Sequence, residues 1–153
     1  MNHLLLLALG IGVVAGLRAF TAPAILAWAA HFGWLNLSGS RLAFMGSMVT
    51  GIIFSVIAIG ELIGDKMPQT PKRTAIFPLL VRIATGALCG ACLFVAAGQS
   101  LGSGAGAGGI GGLIGTFAGY QVRTRLVSSL HVKDFIIAVC EDIVAIALAC
   151  FLV

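Results

Sequence analysis

Charged residues are scarce in this sequence. Asp, Glu, Lys and Arg make up 9% of the 153 residues, whereas a soluble domain carries roughly 25%. So few charges cannot cover a surface that faces water, and 59% of the residues are hydrophobic. The composition excludes an ordinary soluble protein and predicts an all-α, polytopic helical membrane protein whose surface faces lipid. No polar stretch is long enough for a separate soluble domain, so we expect one transmembrane domain over residues 1–153.

Several functional signatures are also missing. No basic run exceeds two adjacent residues, which argues against a nucleic-acid partner. Neither a Ser-His-Asp order nor an H-E-x-x-H motif is present, so we predict that the protein is not an enzyme and needs no cofactor. The cysteines lie in apolar stretches and lack a zinc-type spacing, and we interpret them as packing residues. Residues 1–16 lack the basic start of a signal peptide and are predicted to form a membrane helix.

The charges divide the chain into six apolar blocks, which predict about six membrane helices. A bilayer takes about 20 helical residues to span. The last four blocks reach that length, whereas the first two have about 15 residues each and form either two short spans or a hairpin that enters and returns. The blocks are Leu4–Gly16, Ala22–Leu35, Leu42–Gly60, Ile76–Gly98, Gly102–Val122 and Asp134–Val153.

Basic residues set the expected orientation. With six spans, eight of the nine Lys and Arg residues fall on one side, and only Arg41 falls on the other. The positive-inside rule makes that side cytoplasmic, so the loops 66–73 and 123–133 are predicted to be cytoplasmic. Trp28, Phe32 and Trp34 cluster at the opposite end of the second block, where an aromatic belt is expected.

Glycines recur at helical spacing in the fifth block. Small residues four positions apart let membrane helices approach closely, either within one subunit or across a dimer. We therefore predict helix packing through this block and a homo-oligomer, most simply a dimer. The glycines are Gly104, Gly108, Gly112, Gly115 and Gly119, with Gly111 in register with the last two.

All five acidic residues belong to the cytoplasmic halves of the third and sixth blocks. A charge at the bilayer centre costs about 2.5–3.5 kcal/mol on insertion scales, so such groups face protein or water and are paired. The arginines at comparable depth are the expected partners. The sequence therefore predicts a buried polar cluster near the cytoplasmic side, made of Arg18, Glu61, Asp65, Arg82, Glu141 and Asp142.

Three segments carry a family resemblance: G-L-R-A at 16–19, E-L-I-G-D-K-M-P at 61–68 and E-D-I-V-A-I at 141–146. The sequence resembles a family of small bacterial integral membrane proteins of unknown function, which implies a multi-pass protein of the bacterial inner membrane. E-L-I-G-D-K is also similar to the E-x-G-D-K signature of a cation-exchanger family, with one extra residue before the glycine. That similarity implies metal-binding roles for Glu61 and Asp65, with Glu141 as a partner.

Two functions compete at this stage. The first is a transporter or channel for a small ion, cationic or proton-coupled, or for a small solute, with Glu61, Asp65, Glu141 and Asp142 as the transport site. In this reading Arg18 and Arg82 are the charge partners. The second is an assembly or lipid-binding subunit in which the same charges only tie helices together. A membrane enzyme that holds a lipid phosphate with the two arginines is a third reading, but no nucleophile and base accompany them.

Overall fold

The computed structural model describes residues 2–64, 75–130 and 134–153, and these residues form six α-helices as the six apolar blocks predict. The helices are α1 (Asn2–Leu17), α2 (Thr21–His31), α3 (Met48–Gly64), α4 (Ile76–Ala96), α5 (Leu101–Leu130) and α6 (Asp134–Leu152). A short 3-10 helix at Ala43–Gly46 precedes α3. No strand occurs in the described ranges.

Two predicted boundaries are wrong, and the first concerns the second and third blocks. The second block was expected to run to Leu35 and the third to begin at Leu42, yet α2 ends at His31 and α3 begins at Met48. Gly33 and Gly39 have φ values of 81° and 75° in the segment between them. An α-helix of L-residues cannot continue through this left-handed region, so the chain there is irregular.

The second wrong boundary concerns the basic segment 123–133, which was expected to be a loop. Helix α5 continues through Arg123 and Arg125 to Leu130. Neither glycine nor proline occurs between Tyr120 and Leu130, so nothing local interrupts the backbone hydrogen bonds. With 30 residues, α5 is about 45 Å long at helical rise.

Close contacts fix the relative directions of the helices. Gly12 and Gly16 of α1 lie against Gly108 and Gly112 of α5, so these two helices run parallel. Helix α4 runs antiparallel to α5, because its later residues meet the earlier residues of α5. Helix α6 runs antiparallel to α1, and α3 runs antiparallel to α2, by the same reasoning from their described contacts.

Helix α2 turns back alongside α1, so the first two helices form a hairpin. Leu26 and Ala27 of α2 share one buried core with Val14 of α1, Cys92 of α4 and Ala149 of α6. These core residues lie alongside α1 and not beyond its C-terminal end. Two short spans and a hairpin that enters and returns would both place α2 antiparallel beside α1, so the choice between these two forms stays a prediction. At 11 residues, α2 is about 16 Å long.

Helix α5 forms the spine of the bundle, because it packs closely against both α1 and α4. Its glycines divide into two rows. One row faces α4 and consists of Gly104, Gly108 and Gly112; the other faces α1 and consists of Gly111, Gly115 and Gly119. A Cβ atom at Gly112 would lie 2.8 Å from the carbonyl oxygen of Arg82, so the backbones approach too closely for a larger residue.

Most large side chains on the outside of the bundle are apolar. Helix α3 buries only Gly51 and Ala58 and exposes a row of Ile and Val residues, and α6 exposes Phe151 to 85%. One of the described helices, α4, has both the length and the hydropathy needed to cross a bilayer. Helices α1 and α3 are apolar but shorter, at 16 and 17 residues.

The glycine rows predict opposite effects for two alanine substitutions on α5. A Cβ at Gly108 would overlap the backbone of Gly86, so Gly108→Ala should destabilise the protein by about 1–3 kcal/mol. Gly106 is exposed and has open space at its Cβ position, so Gly106→Ala should stabilise by up to about 1 kcal/mol. Equilibrium unfolding of both purified variants measures the difference, and equal effects would contradict the proposed close packing.

Candidate functional site

The candidate site is the tip of the α1–α2 hairpin, at Arg18, Ala19 and Phe20. Pro23 explains why the helix is interrupted there. In a continuous helix its ring would clash with the carbonyl of Ala19, and its nitrogen could donate no hydrogen bond to that carbonyl. Proline is tolerated within the first turn of a new helix, and Pro23 is the third residue of α2.

The tip lies inside the bundle. Arg18 is 0% exposed, Ala19 is 4% exposed and Thr21 is 5% exposed. Arg82, which contacts the tip, is the seventh residue of α4 and therefore lies about 9 Å from the start of that helix. Polar backbone groups at such a position need partners from the protein, because water does not reach them freely.

Glu61 of α3 accepts hydrogen bonds from the backbone N–H groups just before α2. Its Oε1 accepts a hydrogen bond from the backbone N–H of Ala19 at 2.8 Å, and its Oε2 accepts one from Phe20 at 3.0 Å. The N-cap residue Phe20 makes no side-chain cap of its own. A carboxylate at a helix N-terminus satisfies orphan donors and interacts favourably with the helix dipole. Glu61 thus supplies from a distant helix the cap that the local sequence lacks.

Arg82 of α4 binds the other half of the interrupted helix. Its Nη1 donates to the carbonyl oxygen of Gly16 at 2.9 Å, in the last turn of α1. Its Nη2 lies 3.7 Å from Glu61 Oε1. Thr116 of α5 also donates to the Gly16 carbonyl, at 3.3 Å. A cation therefore stands at the negative end of α1 and an anion at the positive end of α2, which is the favourable arrangement for both dipoles.

Arg18, at the tip itself, forms an ion pair with Asp142 of α6. The side chain of Arg18 is 0% exposed and that of Asp142 is 9% exposed. The hairpin tip therefore gathers two guanidinium groups and two carboxylates from four segments of the chain. Their formal charges cancel, which is the condition under which charges are tolerated in an apolar interior.

Glu141 takes part in a second arrangement. Its Oε2 lies 3.7 Å from Nη1 of Arg123 on α5. Side chains of adjacent residues on a helix point about 100° apart, so Glu141 and Asp142 lie on different faces of α6. The Arg123–Glu141 pair lines an otherwise apolar groove of about 490 Å³ between the C-terminal half of α5 and the N-terminal half of α6.

The structure thus brings together four residues of the predicted polar cluster at the hairpin tip: Arg18, Glu61, Arg82 and Asp142. The described contact of Glu141 is with Arg123 of α5. Asp65 lies outside the described residues, so the suggested metal set of Glu61, Asp65 and Glu141 stays a prediction. Within the described ranges, no three His, Cys, Asp or Glu residues are grouped as metal ligands.

Sequence reasoning missed two parts of the site, Arg123 and Thr116. Pro23 is predicted from the sequence to start the second block, and it lies in the first turn of α2. Arg123 is predicted to lie in a loop, although the absence of helix breakers after Gly119 indicates that it lies on α5. No signal in the sequence points to Thr116, whose hydroxyl bonds the Gly16 carbonyl across 100 positions.

One family matches nearly the whole chain. A domain of unknown function, DUF4126, covers residues 5–153. No curated protein and no solved structure matches the sequence. The match agrees with the resemblance carried by the three short segments, although it does not test those segments one by one. Because it covers more than half of the sequence, the chain belongs to the DUF4126 family, whose function is not known.

Proposed function

We propose that this protein is embedded in a bilayer as a multi-pass protein of the bacterial inner membrane. The support is the distribution of its polar groups: the arginines and carboxylates at the hairpin tip are buried or nearly so, while α3 and α6 present rows of exposed Ile, Val and Phe. In water such a surface would be unfavourable, whereas in lipid it is the expected exterior.

In the proposed orientation the hairpin enters from the outer side and returns to it. Helix α2, at 11 residues, is too short to cross a hydrocarbon core of about 30 Å. Trp28, Phe32 and Trp34 lie at its far end, where Trp28 and Phe32 stack with ring centroids 5.8 Å apart. Arg123 and Arg125 lie toward the C-terminal end of α5, and the positive-inside rule places this end on the cytoplasmic side.

We further propose that the protein is a transporter or channel for a small ion or solute, and that the hairpin tip is its site. The observation that carries this proposal is a helix interrupted inside the bundle, with charged side chains from other helices on both broken ends. Irregular backbone at membrane depth is tolerated where it is buried in protein or lines a cavity. Transporters use such broken helices to bind ions and substrates near the bilayer midplane.

The two ion pairs at the tip have related positions in the two halves of the chain. Arg18, directly after α1, pairs with Asp142 of α6, and Arg82 of α4 pairs with Glu61 of α3. If α1, α2 and α3 are matched in order with α4, α5 and α6, the Arg18–Asp142 pair corresponds to the Arg82–Glu61 pair. The corresponding helices run in opposite directions, as in the inverted repeats of transporters, and this relation supports the proposal.

An assembly or lipid-binding subunit is the competing proposal. The groove between α5 and α6 is the feature that favours it, since this groove is apolar and carries Arg123 at its edge. The glycine rows favour it less, because both rows are occupied by α1 and α4 of the same chain. A dimer would therefore have to use another surface.

The proposed topology predicts labelling of α5 from opposite sides. Ser103 and Ser128 are both exposed, near the two ends of α5. In a background without native cysteines, an impermeant maleimide added to spheroplasts should label Ser103→Cys at once. It should label Ser128→Cys only after the membrane is permeabilised. Labelling of both variants without permeabilisation would contradict the spanning arrangement, and the reverse pattern would invert the orientation.

The transport proposal predicts loss of flux when a carboxylate at the tip is neutralised. Purified protein in liposomes should dissipate at least one imposed gradient, from a panel of Na⁺, K⁺, Mg²⁺, H⁺ and nitrate, faster than protein-free liposomes. Glu61→Gln should lower that rate by about tenfold or more, since a charge-assisted contact worth about 1.5–3 kcal/mol no longer returns the hairpin tip to its substrate-free state.

The matched control for this experiment is Arg41→Gln, which removes an exposed charge far from the tip. Its flux should equal that of the unmodified protein. If no gradient is dissipated, or if Glu61→Gln remains folded and transports at the original rate, the hairpin tip is not a transport site.

A further inference from the structure

The hairpin tip presents mainly hydrogen-bond donors and positive charge toward the carboxylate of Glu61. The donors are the backbone N–H groups of Ala19 and Phe20 at 2.8 and 3.0 Å, with the guanidinium of Arg82 at 3.7 Å from Oε1. Arg82 is 4% exposed. The start of α2 adds the positive end of a helix dipole. In chemical terms this is a binding site for a small anion, and Glu61 occupies it.

A second observation points to the same site. The hydroxyl of Thr21 is buried, with the residue 5% exposed, and it has no hydrogen-bond partner in the part of the chain that the structure describes. Thr21 is the first residue of α2. Because Cα–Cβ bonds tilt toward the N-terminus of a helix, its side chain leans toward the end where the amides of Ala19 and Phe20 emerge. A buried hydroxyl in an apolar interior is costly when it is unpaired, and a bound oxyanion would satisfy it.

The charge balance indicates an anion rather than a cation. With the carboxylate of Glu61 moved away, the tip retains Arg18, Arg82 and Asp142, and so carries one net positive charge. A monovalent anion would restore neutrality on the same donors. A cation placed there would meet the guanidinium group of Arg82 at close range, which is unfavourable in a low-dielectric interior.

We propose that the hairpin tip is a binding site for a small monovalent oxyanion, such as a monocarboxylate, and that the Glu61 carboxylate is a built-in competitor that the incoming anion displaces. This inference rests on the proposed transport function and narrows its substrate class to anions. It differs from the cation that the acidic residues alone favoured at the level of sequence. While no substrate is bound, Glu61 accepts the hydrogen bonds of the backbone N–H groups of Ala19 and Phe20, so these donors remain paired.

The first test asks whether the donors bind a free carboxylate. Glu61→Ala removes a fragment of about the size of acetate and should lower the melting temperature of the detergent-solubilised protein. Acetate should then raise that temperature saturably, because a ligand that binds only the folded state stabilises it. Acetamide, a neutral molecule of the same shape, should not, and neither should sodium gluconate at equal ionic strength.

A double variant locates the effect. In Glu61→Ala combined with Arg82→Gln, the acetate-dependent rise should disappear. If Glu61→Ala does not fold, Glu61→Gln provides the same measurement, because the amide keeps the shape without the competing charge. Acetate should then stabilise this variant more than the unmodified protein. An acetate effect no larger than that of acetamide, or one unchanged by Arg82→Gln, would overturn the anion site.

The second test asks whether the anion is transported. Liposomes loaded with potassium nitrate and treated with valinomycin should release nitrate faster when they contain the unmodified protein. Nitrate is a planar oxyanion that does not cross bilayers as a neutral acid. Acetate rescue without nitrate release would overturn the assignment of an anionic substrate. If the panel of gradients nevertheless shows flux of a cation, the transport proposal survives that result, so the two failures are distinguishable.

Discussion

The interrupted helix between α1 and α2 leaves backbone polar groups inside an apolar bundle, and the rest of the site follows from the need to satisfy them. The amides of Ala19 and Phe20 and the carbonyl of Gly16 cannot pair within their own helices. Their partners come from three other helices, namely Glu61 of α3, Arg82 of α4 and Thr116 of α5. The positions of α3, α4 and α5 relative to one another therefore depend on contacts with one short segment, residues 16–20.

Glycine makes that coupling geometrically feasible. The row of Gly104, Gly108 and Gly112 brings α4 against α5, and the row of Gly111, Gly115 and Gly119 brings α1 against the same helix. Only at such short separations can Thr116 reach the Gly16 carbonyl at 3.3 Å while it also bonds Gly112 at 2.8 Å. The glycines determine how closely the helices approach, and the polar contacts determine how far each helix slides along its neighbour. A larger residue in either row would therefore disturb both the packing and the site.

Much of the fold could be predicted from the sequence, and the failures have identifiable physical causes. Apolar blocks bounded by charges predicted six helices because helix formation in this chain follows hydrophobicity. Helix ends were less predictable, since Arg123 and Arg125 continue α5 instead of forming a loop. The scarcity of charge predicted that the acids and arginines would be paired. It could not assign the pairs, because Glu141 and Asp142 are adjacent and the rotation of the helix decides which neighbours each of them contacts. Nor could spacing alone tell that the glycine rows pack within one chain.

Capping alone accounts for only half of the charges at the hairpin tip. Glu61 and Arg82 satisfy backbone groups at the two broken helix ends, which gives both a structural reason to be present. Arg18 and Asp142 form a second buried pair, and desolvating two such ions often costs more than their attraction returns. A purely structural hairpin could carry apolar residues at both positions at little cost or with a gain in stability. Arg18 contributes a second guanidinium group to the hairpin tip, and Asp142 balances its charge. For the anion site that we propose, this pair keeps the tip neutral both when Glu61 occupies the donors and when a monovalent anion replaces it.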